Sequence, residues 1–285
     1  MSRRAINSLH YNVVEVGAGE PLVLLHGFTG SAANWRTLTQ AFAGDFRTLA
    51  IDLPGHGSSD APDDPERYSM MRIAADLNEL LRELNAAPAC WIGYSMGGRL
   101  ALFIAATYPH LVRQLVLESA SPGLATAAER ATRQAQDEAL AQRIESEGVA
   151  AFVDHWERLP LFDSQSRLAA EERAALRAQR LDNRATGLAN SLRGMGTGAQ
   201  PSLWPRLMDI DRPVLLITGE LDEKFVGINR QMSAVLPSAE LRIAPKAGHA
   251  VHLEQPEWFA AAVRLFISGE LIQHKSAGME RIAMK

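Results

Sequence analysis

Gly93-Tyr94-Ser95-Met96-Gly97-Gly98 stands between an apolar run, Cys90-Trp91-Ile92, and a helical apolar pattern, Leu100-Ala101-Leu102-Phe103-Ile104-Ala105. A strand that turns this abruptly into a helix leaves the serine hydroxyl exposed at the top of a sheet. Glycines two before and two after the serine leave room for that backbone. The helix that starts there points its free N–H groups at the hydroxyl's surroundings, which favours negative charge. The bare motif arises by chance. With the strand before it and the helix after it, it reads as a nucleophile elbow with Ser95 as nucleophile.

The same alternation spreads outward in both directions. Pro21 to Leu25 is a continuous apolar run, as in a strand buried on both faces, and it ends in the loop His26-Gly27-Phe28-Thr29-Gly30. Phe46 to Leu53 is the next strand and runs into the turn Asp52-Leu53-Pro54-Gly55-His56-Gly57. Ser69 to Ala87 carries apolar residues at helical spacing, Gln114 to Glu118 is a short strand, and strands return at Pro213–Gly219 and Glu240–Ala244. A last helix opens at Pro256, with Gly269 placed to stop it. Strands alternating with helices predict an α/β fold, a doubly wound, mostly parallel sheet. From about Pro122 to Leu207 strand signals vanish and helical patterns such as Ala127–Ile144 and Ala169–Asp182 take over. The expected organisation is core at 1–121, an inserted helical cap at 122–208, core again at 209–269, and a tail at 270–285 without clear pattern.

Composition narrows the partners. A chain of 285 residues, 47% apolar, can bury one large core. A formal charge of −4 with no basic stripe gives no reason to expect a nucleic-acid partner. Cys90 is the only cysteine, so an intrachain disulfide and a cysteine metal cluster are both excluded, and no His or acidic pair has metal spacing. The first residues are charged with no apolar stretch behind them, and no run reaches membrane-spanning length, so the expectation is a cytoplasmic protein with no membrane partner. Lysine occurs only at 224, 246, 275 and 285, all other side-chain cations besides histidine being arginine. An arginine is therefore no sign of a site by itself.

A serine hydroxyl needs an imidazole to take its proton and a carboxylate to orient the imidazole. Asp222 and His249 each fall in a loop just beyond a strand, where catalytic groups of parallel sheets gather. Glu118, ending its own strand, is the alternative carboxylate, and His252 the alternative imidazole. The backbone N–H groups of Met96 and Phe28 fit a two-donor oxyanion hole. Arg99 follows Ser95 by four residues on one helix, so its guanidinium can lean back toward the pocket; a surface ion pair is the other reading.

These residues resemble the α/β-hydrolase superfamily from Pro21 to about Ile267. Gly93 to Arg99, Glu118 followed by Pro122-Gly123-Leu124, Arg130 and Arg133, Trp156 with Pro160 and Phe162, and Gly219 to Phe225 resemble more narrowly the 2-succinyl-6-hydroxy-2,4-cyclohexadiene-1-carboxylate synthases of menaquinone biosynthesis. The resemblance implies a lyase that eliminates pyruvate from an enolpyruvyl cyclohexene carboxylate, with a Ser95, Asp222, His249 triad and no cofactor. It implies a small polycarboxylate as substrate, held by Arg99 and by Arg133 and Arg180 of the cap, with Tyr94 and Trp156 lining the pocket. Bidentate guanidinium suits such a ligand. A serine hydrolase working through an acyl-enzyme and a silent binding protein on the same fold are the competing expectations.

Overall fold

The computed structural model describes residues 2–269, and the tail expected at 270–285 lies outside them. Its strands are β1 (Ser2–Ile6), β2 (Leu9–Val16), β3 (Glu20–Leu25), β4 (Phe46–Ile51), β5 (Ala89–Tyr94), β6 (Val112–Glu118), β7 (Val214–Gly219) and β8 (Ala239–Ala244). They form one sheet in the order β1-β2-β4-β3-β5-β6-β7-β8. β1 and β2 are antiparallel to their neighbours, and β4 through β8 run parallel. The helices are α1 (Arg36–Phe42), α2 (Met70–Glu83), α3 (Met96–Thr107), α4 (Ala127–Trp156), α5 (Ala170–Leu181), α6 (Ala185–Met195), α7 (Glu223–Val235), α8 (Val251–Glu254) and α9 (Pro256–Ile267).

The apolar runs explain the layers. Side chains alternate across a strand, so a continuous apolar run feeds both faces. Val23, Leu25 and Trp91 pack on the side of Leu77, Leu80 and Met232, under α2 and α7. Leu22, Leu24, Cys90 and Ile92 pack on the other side with Trp35, Phe42, Phe259 and Val263, under α1 and α9. Successive strands step from β3 to β4 on one side, and the chain then returns to place β5 on the other side of β3. That reversal sets the loops after β3 and β5 side by side at the carboxyl end of the sheet, the crevice where open α/β sheets take ligands.

β1 and α7 are elements that periodicity did not mark. β1 is an edge strand, Ser-Arg-Arg-Ala-Ile, with alternate residues exposed, and edge positions tolerate charge. Between β6 and β7 the chain is helical. α4 extends well past the expected Ile144, but it is two helices joined at Gly148, whose φ of 83° and ψ of 167° are open to glycine almost alone. Ala141, Ile144, Phe152 and Val153 of α4 pack with Leu188 and Leu192 of α6 in a third apolar cluster. Gly187 and Gly194 of α6 press on Gly55 and Tyr68, which seats this layer on the loops of the sheet. No helix among the described residues is long and apolar enough to cross a membrane.

Candidate active site

Ser95 sits between β5 and α3 with φ 49° and ψ −106°, outside the regions open to an unstrained side-chain-bearing residue. Its surroundings hold it there. Ser95 N–H donates to the Glu118 carbonyl at 2.8 Å, and Ser95 C=O accepts from Arg99 N–H at 2.9 Å. A Cβ at Gly97 would lie 2.3 Å from the Leu25 carbonyl oxygen, and one at Gly93 would lie 2.5 Å from that of Gly97. Strand, turn and helix close on each other so tightly that both positions demand glycine.

Around that hydroxyl the loops after β7 and β8 converge. Ser95 Oγ–H donates to His249 Nε2 at 3.0 Å, and His249 Nδ1–H donates to Asp222 Oδ2 at 2.6 Å. Asp222 also caps α7, its Oδ1 accepting from Phe225 N–H at 3.4 Å. Imidazole and carboxylate are both buried. Glu118 instead accepts from His252, whose backbone N–H and Nδ1–H reach Oε1 at 3.0 and 2.9 Å. Two imidazoles three residues apart along the chain thus each have their own acid, and only one touches the serine. Such a relay can lift a proton from Ser95 and return it, the working part of either nucleophilic or general-base chemistry.

The relay opens into a cavity of about 890 Å³ lined by Phe28, Tyr94, Met96, Arg99, Trp156 and Arg180, among others. Met96 is the first residue of α3, so its N–H has no partner within the helix and is free to face an anion. Phe28 is held from behind. His26 accepts from Leu53 N–H at 3.0 Å on Nε2 and donates from Nδ1 to the Gly27 carbonyl at 2.8 Å. The His56 ring packs against both His26 and Phe28. Burial pushes both imidazoles down, His56 to about 3, so each is neutral at pH 7. Trp156 covers Phe28 and Phe162 with ring centroids 5.4 and 5.5 Å away, and the Tyr94 ring lies 5.4 Å from that of His249.

Four cations, Arg99, Arg133, Arg180 and Lys224, line the cavity against a single acid, Glu129. Arg133 is paired with Asp137 at 2.7 Å, and Arg180 with Glu157 at 2.9 Å and Gln165 at 3.0 Å. Arg99 is different. Its surface is 9% exposed, and Nη1 donates at 2.9 Å to the neutral amide of Gln200. Burial, with Arg133 nearby, pulls its pKa down to about 10, so it remains a buried cation at neutral pH, its hydrogen bond going to an uncharged group. A carboxylate entering the cavity would find that charge available. Gln200 carried no signal in the sequence, because a lone amide in a Gly/Thr/Pro-rich stretch has neither period nor motif. Arg133 and Arg180 reach the cavity, yet each shares its charge with an acid: Asp137 four residues on along α4, an ordinary helical spacing, and Glu157, 23 residues away, which spacing could not assign.

The sequence profile of the family described as alpha/beta hydrolase fold matches residues 20–256. A Serratia proteamaculans protein named 2-succinyl-6-hydroxy-2,4-cyclohexadiene-1-carboxylate synthase is 37% identical over 86% of this chain and 92% of its own. A Bacillus subtilis protein that bears the same name provisionally is 50% identical over 92% of this chain and 96% of its own. Among solved structures, MenH from S. aureus superposes with a TM-score of 0.87 at 35% identity, covering 92% of this chain and 99% of that one.

Proposed function

The chain belongs to the α/β-hydrolase fold family and, within it, to that of the 2-succinyl-6-hydroxy-2,4-cyclohexadiene-1-carboxylate synthases, and on that premise we propose that it is a lyase. It eliminates pyruvate from 2-succinyl-5-enolpyruvyl-6-hydroxy-3-cyclohexene-1-carboxylate in menaquinone biosynthesis. The observation that carries this reading is a Ser–His–Asp relay opening into the cavity that holds a buried guanidinium bonded to a neutral amide.

In this reading His249, oriented by Asp222, draws the proton from Ser95, and the serine oxygen takes the acidic proton beside the succinyl ketone. The enolate oxygen that forms is met by the N–H groups of Phe28 and Met96; one such donor is commonly worth about 10²–10³ in rate. Electrons return from the enolate, the bond from ring carbon to the enolpyruvyl oxygen breaks, and the ring gains conjugation. The leaving enolpyruvate takes up a proton to become pyruvate. Arg99 binds a carboxylate, Arg133 and Arg180, which line the same cavity, bind others, and Tyr94 and Trp156 wall the pocket. Residues 122–208 act as the cap that keeps water out, set between core segments 1–121 and 209–269.

A serine hydrolase would use the same triad through an acyl-enzyme. Arg99 weighs against it, because a small neutral ester brings no carboxylate to a buried cation whose hydrogen bond goes to a neutral amide. The test is release of pyruvate together with diene absorbance from the enolpyruvyl substrate, both abolished by Ser95→Ala. A burst of product from an activated ester, with no pyruvate from that substrate, would overturn the lyase reading.

A further inference from the structure

Glu118 is wholly buried, ends β6, and is bonded to both sides of the catalytic pair by different atoms. Its backbone carbonyl accepts the Ser95 N–H at 2.8 Å. Its carboxylate accepts the His252 backbone N–H at 3.0 Å and the His252 Nδ1–H at 2.9 Å, three residues past His249. The stretch 248–254 is tied within itself by Glu254, which accepts from Gly248 N–H at 2.7 Å and from Ala250 N–H at 3.4 Å. It therefore moves as one piece, and His249 goes with it. That piece is also tied to the Asp222 loop, through Leu221 N–H on the Ala247 carbonyl at 2.9 Å. Toward the nucleophile, however, the hydrogen bonds among the described residues are the Ser95–His249 bond itself and the pair at Glu118.

The packing makes this link stiff. The His252 ring stacks on Trp35 with centroids 4.5 Å apart, and Tyr94, the residue before the nucleophile, lies 4.8 Å away on another side. Glu118 Oε2 also lies 2.8 Å from His252 Nδ1, and His252 Nε2 is buried without a hydrogen-bond partner. A fully buried carboxylate–imidazole pair is costly to desolvate and weak evidence of stability, so its presence asks for another role.

We propose that Glu118 is a positioning residue: a strut that sets the Ser95–His249 distance by holding the nucleophile's backbone through its carbonyl and the histidine loop through its carboxylate. It touches no substrate. The proposal rests on Ser95 and His249 being the working pair, and it holds for any substrate that pair serves. A displacement of about 1 Å between reacting groups commonly costs on the order of 10² in rate.

The test compares Glu118→Leu, which keeps the volume and loses the acceptor, with Glu118→Gln, which keeps an acceptor for the His252 N–H. Two readouts are used, pyruvate release from the enolpyruvyl substrate and covalent labelling of Ser95 by a fluorophosphonate, which requires no substrate. Glu118→Leu is expected to lower kcat and the labelling rate together by roughly 10–100-fold with KM within about twofold, and Glu118→Gln to restore both to within about threefold of wild type. If Glu118→Leu does not fold, Glu118→Asp, one methylene shorter, is expected to show the same loss. Wild-type kcat and labelling in a folded Leu or Asp variant, or a loss confined to KM, would overturn the strut. Absence of pyruvate in wild type alongside reduced labelling in Glu118→Leu would overturn the lyase reading and leave the strut standing.

Discussion

Arg99 and Gln200, 101 residues apart, meet at 2.9 Å in the wall of the cavity, with the guanidinium as donor and a neutral amide oxygen as acceptor. Gln200 is itself completely buried and anchored by its Nε2 on the Ser121 carbonyl at 3.3 Å. An amide orients the guanidinium while leaving its charge for a ligand. A carboxylate in the same place would orient it and neutralise it. Gln200→Glu is accordingly expected to raise KM for the enolpyruvyl substrate by roughly 10–100-fold, the worth of one charge-assisted hydrogen bond, with a smaller effect on kcat. Arg99→Ala should do at least as much. Steady-state pyruvate release measures both, and an unchanged KM in Gln200→Glu would remove Arg99 from substrate binding.

The carboxylate that orients His249 is open to a direct comparison. Asp222→Asn keeps the size of the side chain but offers the imidazole the wrong partner, and kcat should fall by about 10⁴. Glu118→Gln, which leaves Asp222 in place, should stay near wild type. The two variants assayed side by side decide which acid serves the imidazole that touches Ser95.

Stability should fall in mild acid for a reason located in the loops beneath Phe28. The buried His56 has its pKa lowered from 6.5 to about 3, and that of His26 is lowered as well, in both cases chiefly by burial. Unfolding frees these rings to bind protons below about pH 6.5. Their contribution is therefore complete above pH 6.5 and is lost as the pH drops toward 3. Between pH 7 and pH 5, His56 alone should cost about 2 kcal/mol. Urea unfolding at the two pH values should show this, and His56→Gln should flatten the pH slope by about that amount even if its stability at pH 7 is lower. An unchanged slope would mean that His56 is protonated inside the fold.

Gly148 should tolerate no side chain, although no atom crowds it. Nothing lies within 4 Å of the place its Cβ would occupy, so the penalty of Gly148→Ala comes from backbone conformation alone. That cost is expected at about 1–3 kcal/mol. Part of it would be relieved by moving Phe152 and Trp156, which follow the break and pack on Phe28. A lower Tm with a raised KM is the expected result, from thermal denaturation and steady-state kinetics. An unchanged Tm would show that the helix break is not required.

Legibility in the sequence followed the range of the physical constraint. The elbow was readable because its demands are local: Gly93 and Gly97 lie within two residues of Ser95, and the close approaches at those positions leave no alternative. The apolar runs at 22–25, 90–92 and 214–217 were readable because strands buried on both faces must be apolar throughout. Edge strand β1 and the half-exposed helix α7 escaped because neither has to bury a continuous face. Arg133, Arg180 and Trp156 could be named from resemblance; Asp137, one helical turn from Arg133, lies within reach of local spacing, while Glu157, 23 residues from Arg180, does not.

By itself the sequence determined an α/β sheet, a strained serine between strand and helix, and the residue types of a proton relay, because each follows from backbone sterics or burial within a few residues. It favoured Asp222 and His249 by their loops, with Glu118 and His252 standing as the alternatives. Only the tertiary structure brought His249 to Asp222 and His252 to Glu118, across 27 and 134 residues of chain. It alone also set Gln200 against Arg99. Such pairings depend on where loops of unrelated strands arrive in space, and that is settled by the order of strands in the sheet and the packing beneath them.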